Sequence, residues 1–169
     1  MKKTKIICTM GPNTNDRNLM KALAENGMDI ARFNFSHGDY EEQKSRLDML
    51  KSIRDELDLP IAALLDTKGP EIRIGDIEGG KVELKNTILI DDGLIELKVQ
   101  EVVNGTDIVC TVVNGGELGM RKGVNVPNVK IKLPALTEKD KADIRFGIEQ
   151  GFDFIAASFV RTADAVREI

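Results

Sequence analysis

Arg32, Asn34, Ser36 and His37 fall within one octapeptide, ARFNFSHG, interleaved with Phe33 and Phe35. A guanidinium, a carboxamide, a hydroxyl and the chain's one imidazole offer anion binding, cation ligation and proton transfer. A second dense stretch, LLDTKGPEIR from Leu64 to Arg73, adds Asp66, Thr67 and Arg73. The oxygens of Asn34, Ser36, Asp66 and Thr67 suit a hard cation. One carboxylate among neutral donors points to a monovalent ion over a divalent one. The same residues also suit a plainer role, in which Asp66 caps a turn and Asn34 and Ser36 satisfy loop backbone. Arg32 and Arg73 are forks for phosphate or carboxylate, or else members of surface ion pairs. Arg32 sits in an apolar stretch, where an unpaired charge would be costly. His37 lacks a Cys or His nearby, which favours a loop residue or ligand contact over a metal ligand. GMRKGVNVPN, Gly119 to Asn128, is a basic glycine loop that by itself reads as a solvated turn.

These groups need elements to aim them. Strand periodicity puts Ala31, Phe33 and Phe35 on one face and Arg32, Asn34 and Ser36 on the other. Gly38, Asp39 and a helix-favouring charged run follow, so the polar row ends a strand just before a helix. In parallel α/β proteins ligands bind at that rim. The pattern predicts a strand at Thr4 to Thr9, then a helix from Arg17 to Glu25 capped by Asn15 or Asp16 and stopped by Gly27. A strand from Met28 to Phe35 and a helix from Tyr40 to Leu57 follow, the latter with Leu47, Leu50, Ile53 and Leu57 along one face. Ile61 to Asp66 is apolar on both faces, as in a buried parallel strand. LTEKDKADIRFGIEQG predicts a helix with a capping box from Thr137 to Asp140 and a stop at Gly151. Phe152 to Ser158 predicts another strand. ENGMDIARFNF and EQGFDFIAASF echo each other, which suits a repeated βα unit.

Between Pro70 and Pro134 the grammar differs. Asp92-Gly93, Asn104-Gly105 and Asn114-Gly115 separate short β-branched runs, as in a set of hairpins. Asp91 to Gly93 reads as a hairpin turn. The expected organisation is an α/β base, 1–69 with 135–169, and an inserted β-rich domain, 70–134. Four barrel-type strands are half of what a closed (β/α)8 barrel needs. The fold class predicted is therefore α/β, a partial TIM barrel of four strands with the β-rich insertion after strand 3.

Composition excludes several classes. A net charge of -4, no tryptophan and one tyrosine leave a nucleic-acid partner without basic surface or stacking platforms. No stretch is apolar for long enough to span a membrane. MKKTKIICTM is too briefly apolar for a secretory signal, and two unrelated cysteines point to reduced thiols and a cytoplasmic location.

Taken together, ICTMGP, ARFNFSHG, LLDTKGPEIR, ILIDDGLIEL, KGVNVPN, LPALTEKD and DFIAASFVR resemble, in that order, the N-terminal part of pyruvate kinase. The resemblance implies a (β/α)8 barrel with a lid domain inserted after the third strand. It implies phosphoryl transfer from phosphoenolpyruvate to ADP, giving pyruvate and ATP, in a cytoplasmic glycolytic enzyme that is tetrameric at full length. Potassium and magnesium are the implied metals. By the same resemblance Arg32 holds the substrate phosphate and is the catalytic arginine. Asn34, Ser36, Asp66 and Thr67 ligate potassium, while Asn34, Phe35, Ser36, His37, Arg73 and Lys122 line the nucleotide side. The family's substrate-facing lysine and magnesium carboxylates belong to later strands, so these 169 residues alone are expected to be inactive.

Two other readings compete. One is a non-catalytic module that binds a phosphorylated metabolite. The other is a barrel lyase or aldolase acting on phosphorylated ketoacids, although no Schiff-base lysine or metal cluster is visible on the strands. The insertion is also short. KVELK and TILIDDG read as strands joined by Asn86 alone, too little for a hairpin loop. Lys85, Asn86 and Thr87 are thus expected to mark a break, either a gap in the numbered chain or a true deletion.

Overall fold

A computed structural model describes residues 3–74, 81–84, 89–104, 107–127 and 133–169. The chain divides into two compact units, Met1–Pro70 with Pro134–Ile169, and Glu71–Leu133.

The first unit is built on a four-stranded parallel sheet whose neighbours follow chain order. Its strands are β1 (Ile7–Met10), β2 (Ile30–Asn34), β3 (Ala62–Asp66) and β8 (Phe154–Ala156). Helix α1 (Arg17–Glu25) crosses from β1 to β2, and α2 (Tyr40–Leu57) from β2 to β3. Helix α3 (Glu138–Gln150) precedes β8, and α4 (Ala163–Glu168) follows it. Helix α4 and a 3-10 turn at Pro12–Thr14 complete the described helical elements of this unit.

Caps set the helix boundaries. The Asp16 carboxylate accepts from the Asn18 and Leu19 amides at 2.7 and 3.3 Å, and Asp39 accepts from the Glu42 amide at 2.9 Å. Thr137 and Asp140 form a reciprocal capping box on α3, which ends at Gly151 in the left-handed region. The first strand begins later than its β-branched run suggests, at Ile7. The cause is the backbone of Ile6, whose N–H donates to the Asp29 carboxylate at 2.7 Å. Asp153 repeats that device, accepting from the Ala63 amide at 2.7 Å. The echo between the two segments is therefore physical. In each, an aspartate two residues past the helix glycine ties down the start of the neighbouring strand.

Strand register sorts the two faces. Met10, Phe33 and Leu65 lie side by side and buried, with Ala31, Phe35 and Ala63. Met20 and Ala24 of α1 and Leu47, Leu50 and Ile53 of α2 cover them. Phe33 meets Phe152 edge-on, with centroids 5.1 Å apart. The other face carries Thr9, Arg32, Leu64 and Phe154 in one row, and Asn34 beside Asp66 in the next. Here the expectation that β3 is buried on both sides fails. Ala62, Leu64 and Asp66 are only half-buried, and Phe154 on the same face is 55% exposed. Among the described residues no helix lies on that face.

The second unit is antiparallel. Strand β5 (Glu96–Val103) pairs with β6 (Asp107–Asn114), and β4 (Lys81–Leu84) pairs with β7 (Gly116–Gly119). Among its described residues Ile90 and Ile95 are buried, facing each other across the turn at Asp91–Gly93. The pairing of β4 with β7 corrects one premise of the sequence reading. KVEL finds its partner some thirty residues on, so Asn86 need not close a hairpin. Lys85, Asn86 and Thr87 themselves lie outside the described residues.

Candidate functional site

Register places the polar groups of the first unit at one rim. Asn34, the last residue of β2, is the direct partner of Asp66, the last residue of β3. Thr9 is the partner of Arg32. All four side chains share the face turned away from α1 and α2, because partners in a parallel sheet point the same way.

Arg32 is not left as an unpaired charge. Its Nε donates to Asp66 Oδ2 at 2.8 Å, Nη2 donates to the same oxygen, and Nη1 donates to Thr9 Oγ1 at 3.0 Å. The other carboxylate oxygen of Asp66 accepts from the Ser158 hydroxyl at 3.1 Å. Asp66 is thus anchored on both sides, while the Arg32 side chain stays 36% exposed. Thr67 is buried, and its hydroxyl accepts from the Ser158 amide at 3.1 Å.

The turn after β2 is held with equal care. Asn34 Oδ1 accepts from the Ser36 amide at 2.9 Å, so the plainer backbone role of Asn34 is realised. An amide oxygen has two lone pairs, which leaves one free for a ligand. Gln43 Nε2 donates to the carbonyls of Asn34 and His37 at 3.1 and 2.9 Å. Lys139 Nζ donates to the Phe35 carbonyl at 2.9 Å. His37 is exposed at the tip.

Arg73 and Lys122 belong to the second unit and lie together there, since the Ile74 amide donates to the Lys122 carbonyl at 3.0 Å. Both are in ion pairs, the surface role weighed for Arg73. Arg73 Nη2 meets Glu71 Oε2 at 2.7 Å, and that hydrogen bond raises the arginine's already high pKa. Lys122 Nζ meets Asp91 Oδ2 at 2.6 Å.

Sequence reasoning missed Thr9, Ser158, Lys139 and Gln43. The internal echo held the signal for one of them, because aligning EQGFDFIAASF on ENGMDIARFNF sets Ser158 opposite Asn34. Thr9 was readable from strand parity. Lys139 was not, since it approaches Phe35 from 104 residues away.

The family pattern of the pyruvate kinase barrel domain matches residues 1–86 and 81–169. The chain belongs to the pyruvate kinase family. It is 42% identical over 203 residues to the pyruvate kinases of Staphylococcus aureus strains USA300, NCTC 8325 / PS 47 and COL. Those matches cover 100% of this chain and 35% of each relative, so the chain spans about a third of the length of these curated relatives. Since 203 aligned positions exceed 169 residues, at least 34 positions of the relatives have no counterpart here. The family pattern is itself divided at residues 81–86, beside the suspected break at Lys85–Thr87.

Proposed function

We propose that this chain is the phosphate-binding part of a pyruvate kinase, contributing to transfer of a phosphoryl group from phosphoenolpyruvate to ADP. In that reading β1, β2, β3 and β8 are the first four strands of a (β/α)8 barrel, and Glu71–Leu133 is the lid inserted after the third. The observation that carries the proposal is Arg32, fixed on a strand near its C-terminal rim by Asp66 and Thr9 yet over a third exposed. A guanidinium already aimed can receive a phosphate without first ordering its side chain. In the reaction the bond from phosphorus to the enol oxygen breaks as one to an ADP phosphate oxygen forms, and enolpyruvate takes up a proton. The transition state is loose and anionic, so positioned cations supply most of the catalysis.

Potassium fits the donor set. Asn34 and Asp66 stand on adjacent strands, about 4.8 Å apart, so one ion can touch both oxygens. Asn34 retains a lone pair, and Asp66, although paired with Arg32 through Oδ2, keeps one on Oδ1 beside its bond from Ser158. Ser36 and Thr67 complete the proposed set, and the ion would supply fixed positive charge beside the phosphate. The protein ligands of magnesium are proposed to belong to later strands of the barrel, outside these residues. Among the described residues no group of three or more His, Cys, Asp or Glu is placed to hold a metal ion. His37, Phe35, Arg73 and Lys122 are proposed for the nucleotide side. A cytoplasmic location and a homo-oligomer belong to the same proposal. No described helix is long and apolar enough to cross a membrane.

Calorimetry with phosphoenolpyruvate in potassium chloride tests the reading. Binding by the 169-residue chain, weakened at least tenfold in Arg32→Ala, is expected. Equal affinity in both proteins would remove Arg32 from the site. In a lactate-dehydrogenase-coupled assay the purified chain should show no turnover. Sustained pyruvate formation would mean that these residues already contain the whole catalytic set.

A further inference from the structure

Three carbonyls of the rim turn, those of Asn34, Phe35 and His37, are held by side chains from elsewhere. One of the holders is itself held by a fully buried carboxylate. Asp143, on α3, has no exposed surface. Its Oδ2 accepts from Lys139 Nζ at 2.6 Å, and its Oδ1 accepts from the Tyr40 hydroxyl at 2.8 Å. Tyr40 is the first residue of α2, and its ring stacks on Phe146 of α3 with centroids 4.6 Å apart. An i,i+4 lysine–aspartate pair on a helix surface contributes little to stability and needs no burial. Burying the aspartate is a desolvation cost that a simple helix pair does not require. The lysine's remaining contact shows what the arrangement achieves, since its ammonium also donates to the Phe35 carbonyl.

That carbonyl belongs to a rigid peptide plane. The other polar end of the same plane is the Ser36 N–H, which donates to Asn34 Oδ1. Lys139 therefore fixes one end of the plane whose opposite end orients the Asn34 carboxamide. We propose that Lys139, aimed by Asp143 and Tyr40, is a positioning residue that sets the Asn34–Ser36 turn and thereby the affinity of the rim for a monovalent cation. The inference rests on the potassium reading above. It assigns the device to α3, which supplies none of the donors proposed for the ion. Without the ammonium the Phe35–Ser36 plane is free to turn, the Ser36 amide loses its acceptor, and Asn34 swings out of register with Asp66. Lys141, on the same helix, offers the control. It pairs with Glu138 and Glu168 at the surface and touches neither rim turn.

The test compares the wild-type chain with Lys139→Met and Lys141→Met, which lose the same charge. The first readout is the rise in thermal midpoint with potassium chloride, measured against choline chloride at equal ionic strength by far-ultraviolet circular dichroism. Stabilisation by a specific ligand follows its dissociation constant. The wild type and Lys141→Met are expected to saturate at similar potassium concentrations, and Lys139→Met to need at least tenfold more with an unchanged spectrum. The second readout is hydrogen exchange of the Ser36 amide, expected to quicken at least tenfold in Lys139→Met alone. A Lys139→Met protein whose potassium midpoint and Ser36 exchange stay within threefold of wild type overturns the proposal, as does an equal effect in Lys141→Met. If potassium fails to stabilise even the wild type, the cation reading falls, and Ser36 exchange alone then decides whether Lys139 positions the turn.

Discussion

In the parallel sheet every second residue of β2 and β3 disappears from solvent. In the hairpin β5–β6 no described side chain does. Both regions are rich in the apolar residues strands favour. The difference lies in what covers them. Helices α1 and α2 seal one face of the sheet, so Ala31, Phe33, Ala63 and Leu65 reach full burial. In the hairpin Val99, Ile108, Val109 and Val113 remain exposed. Strand propensity is largely a fit to a pleated surface, and burial must come from a partner layer. A site that depends on ångström-level placement belongs on the sealed sheet, where side chains are locked from behind. The hairpin belongs to the low-stability end of the chain, which opens first.

The sharpest way to break this contrast is to hollow the sealed face. Phe33→Ala removes a ring with no exposed surface, set edge-on against Phe152. A loss of about 3–5 kcal/mol is expected from transfer and cavity terms together. Urea unfolding followed by circular dichroism measures it, and a loss below about 1 kcal/mol would show that the sheet is far less tightly packed than its geometry implies. Gly69→Ala strikes the rim instead of the core. Gly69 has a φ of +68°, and an added Cβ would lie 2.9 Å from the Ser158 carbonyl oxygen and 2.7 Å from the Phe159 ring. Its amide also donates to the buried Asp140 carboxylate at 2.9 Å. The expected cost is about 1–3 kcal/mol, with phosphoenolpyruvate binding weakened because Ser158 holds Asp66. Full binding in a destabilised variant would separate the rim from the fold.

The same contrast explains what was legible in the sequence. Helices α1 and α2 could be read at their observed boundaries because local signals, Asp16, Gly27 and Asp39 among them, fix where they start or stop. The face assignment of Arg32 and Asn34 needed only strand parity. The polar face itself was readable as a row of groups, but its wiring was not. Whether Asn34 served a cation or its own backbone stayed open, and the structure shows the backbone bond with a lone pair to spare. The β4–β7 pairing and the Tyr40–Asp143–Lys139 cluster join segments that carry no local mark of each other. Tertiary partners at such separation leave no periodicity to read.

A smaller effect tests the sealed side by titration. Tyr40 is the chain's only tyrosine, and there is no tryptophan, so absorbance at about 295 nm reports its phenolate alone. Burial, then the hydrogen bond and negative charge of Asp143, push its pKa up to about 12 from an ordinary 10.0. The folded state therefore holds the proton more tightly than the unfolded state. The stability this represents is fully present below about pH 10 and is lost as pH rises through about 12. Asp143→Asn should lower the folded midpoint part of the way toward 10, since burial, the larger cause, remains. A wild-type midpoint already near 10 would mean that the phenol is neither desolvated nor engaged by Asp143.

The smallest expected effect lies in the hairpin, and its smallness is the point. Val113 is the next-to-last residue of β6 and is 61% exposed. Val113→Thr keeps the β-branch and nearly the same volume, so strand propensity and rotamer preference barely change. In a buried site the new hydroxyl would need a partner and cost about 1–3 kcal/mol without one. At an exposed site water supplies that partner, and the change should stay within about 0.5 kcal/mol. The matched substitution on the sealed sheet is Ala63→Ser, which places a hydroxyl at a position with no exposed surface. Urea midpoints for the two variants measure the contrast directly. Ala63→Ser is expected to lose more stability, whereas a larger loss in Val113→Thr would show that the outer face of β6 is covered in solution. The comparison between the sealed sheet and the open hairpin would then have to be redrawn with a partner surface on β6.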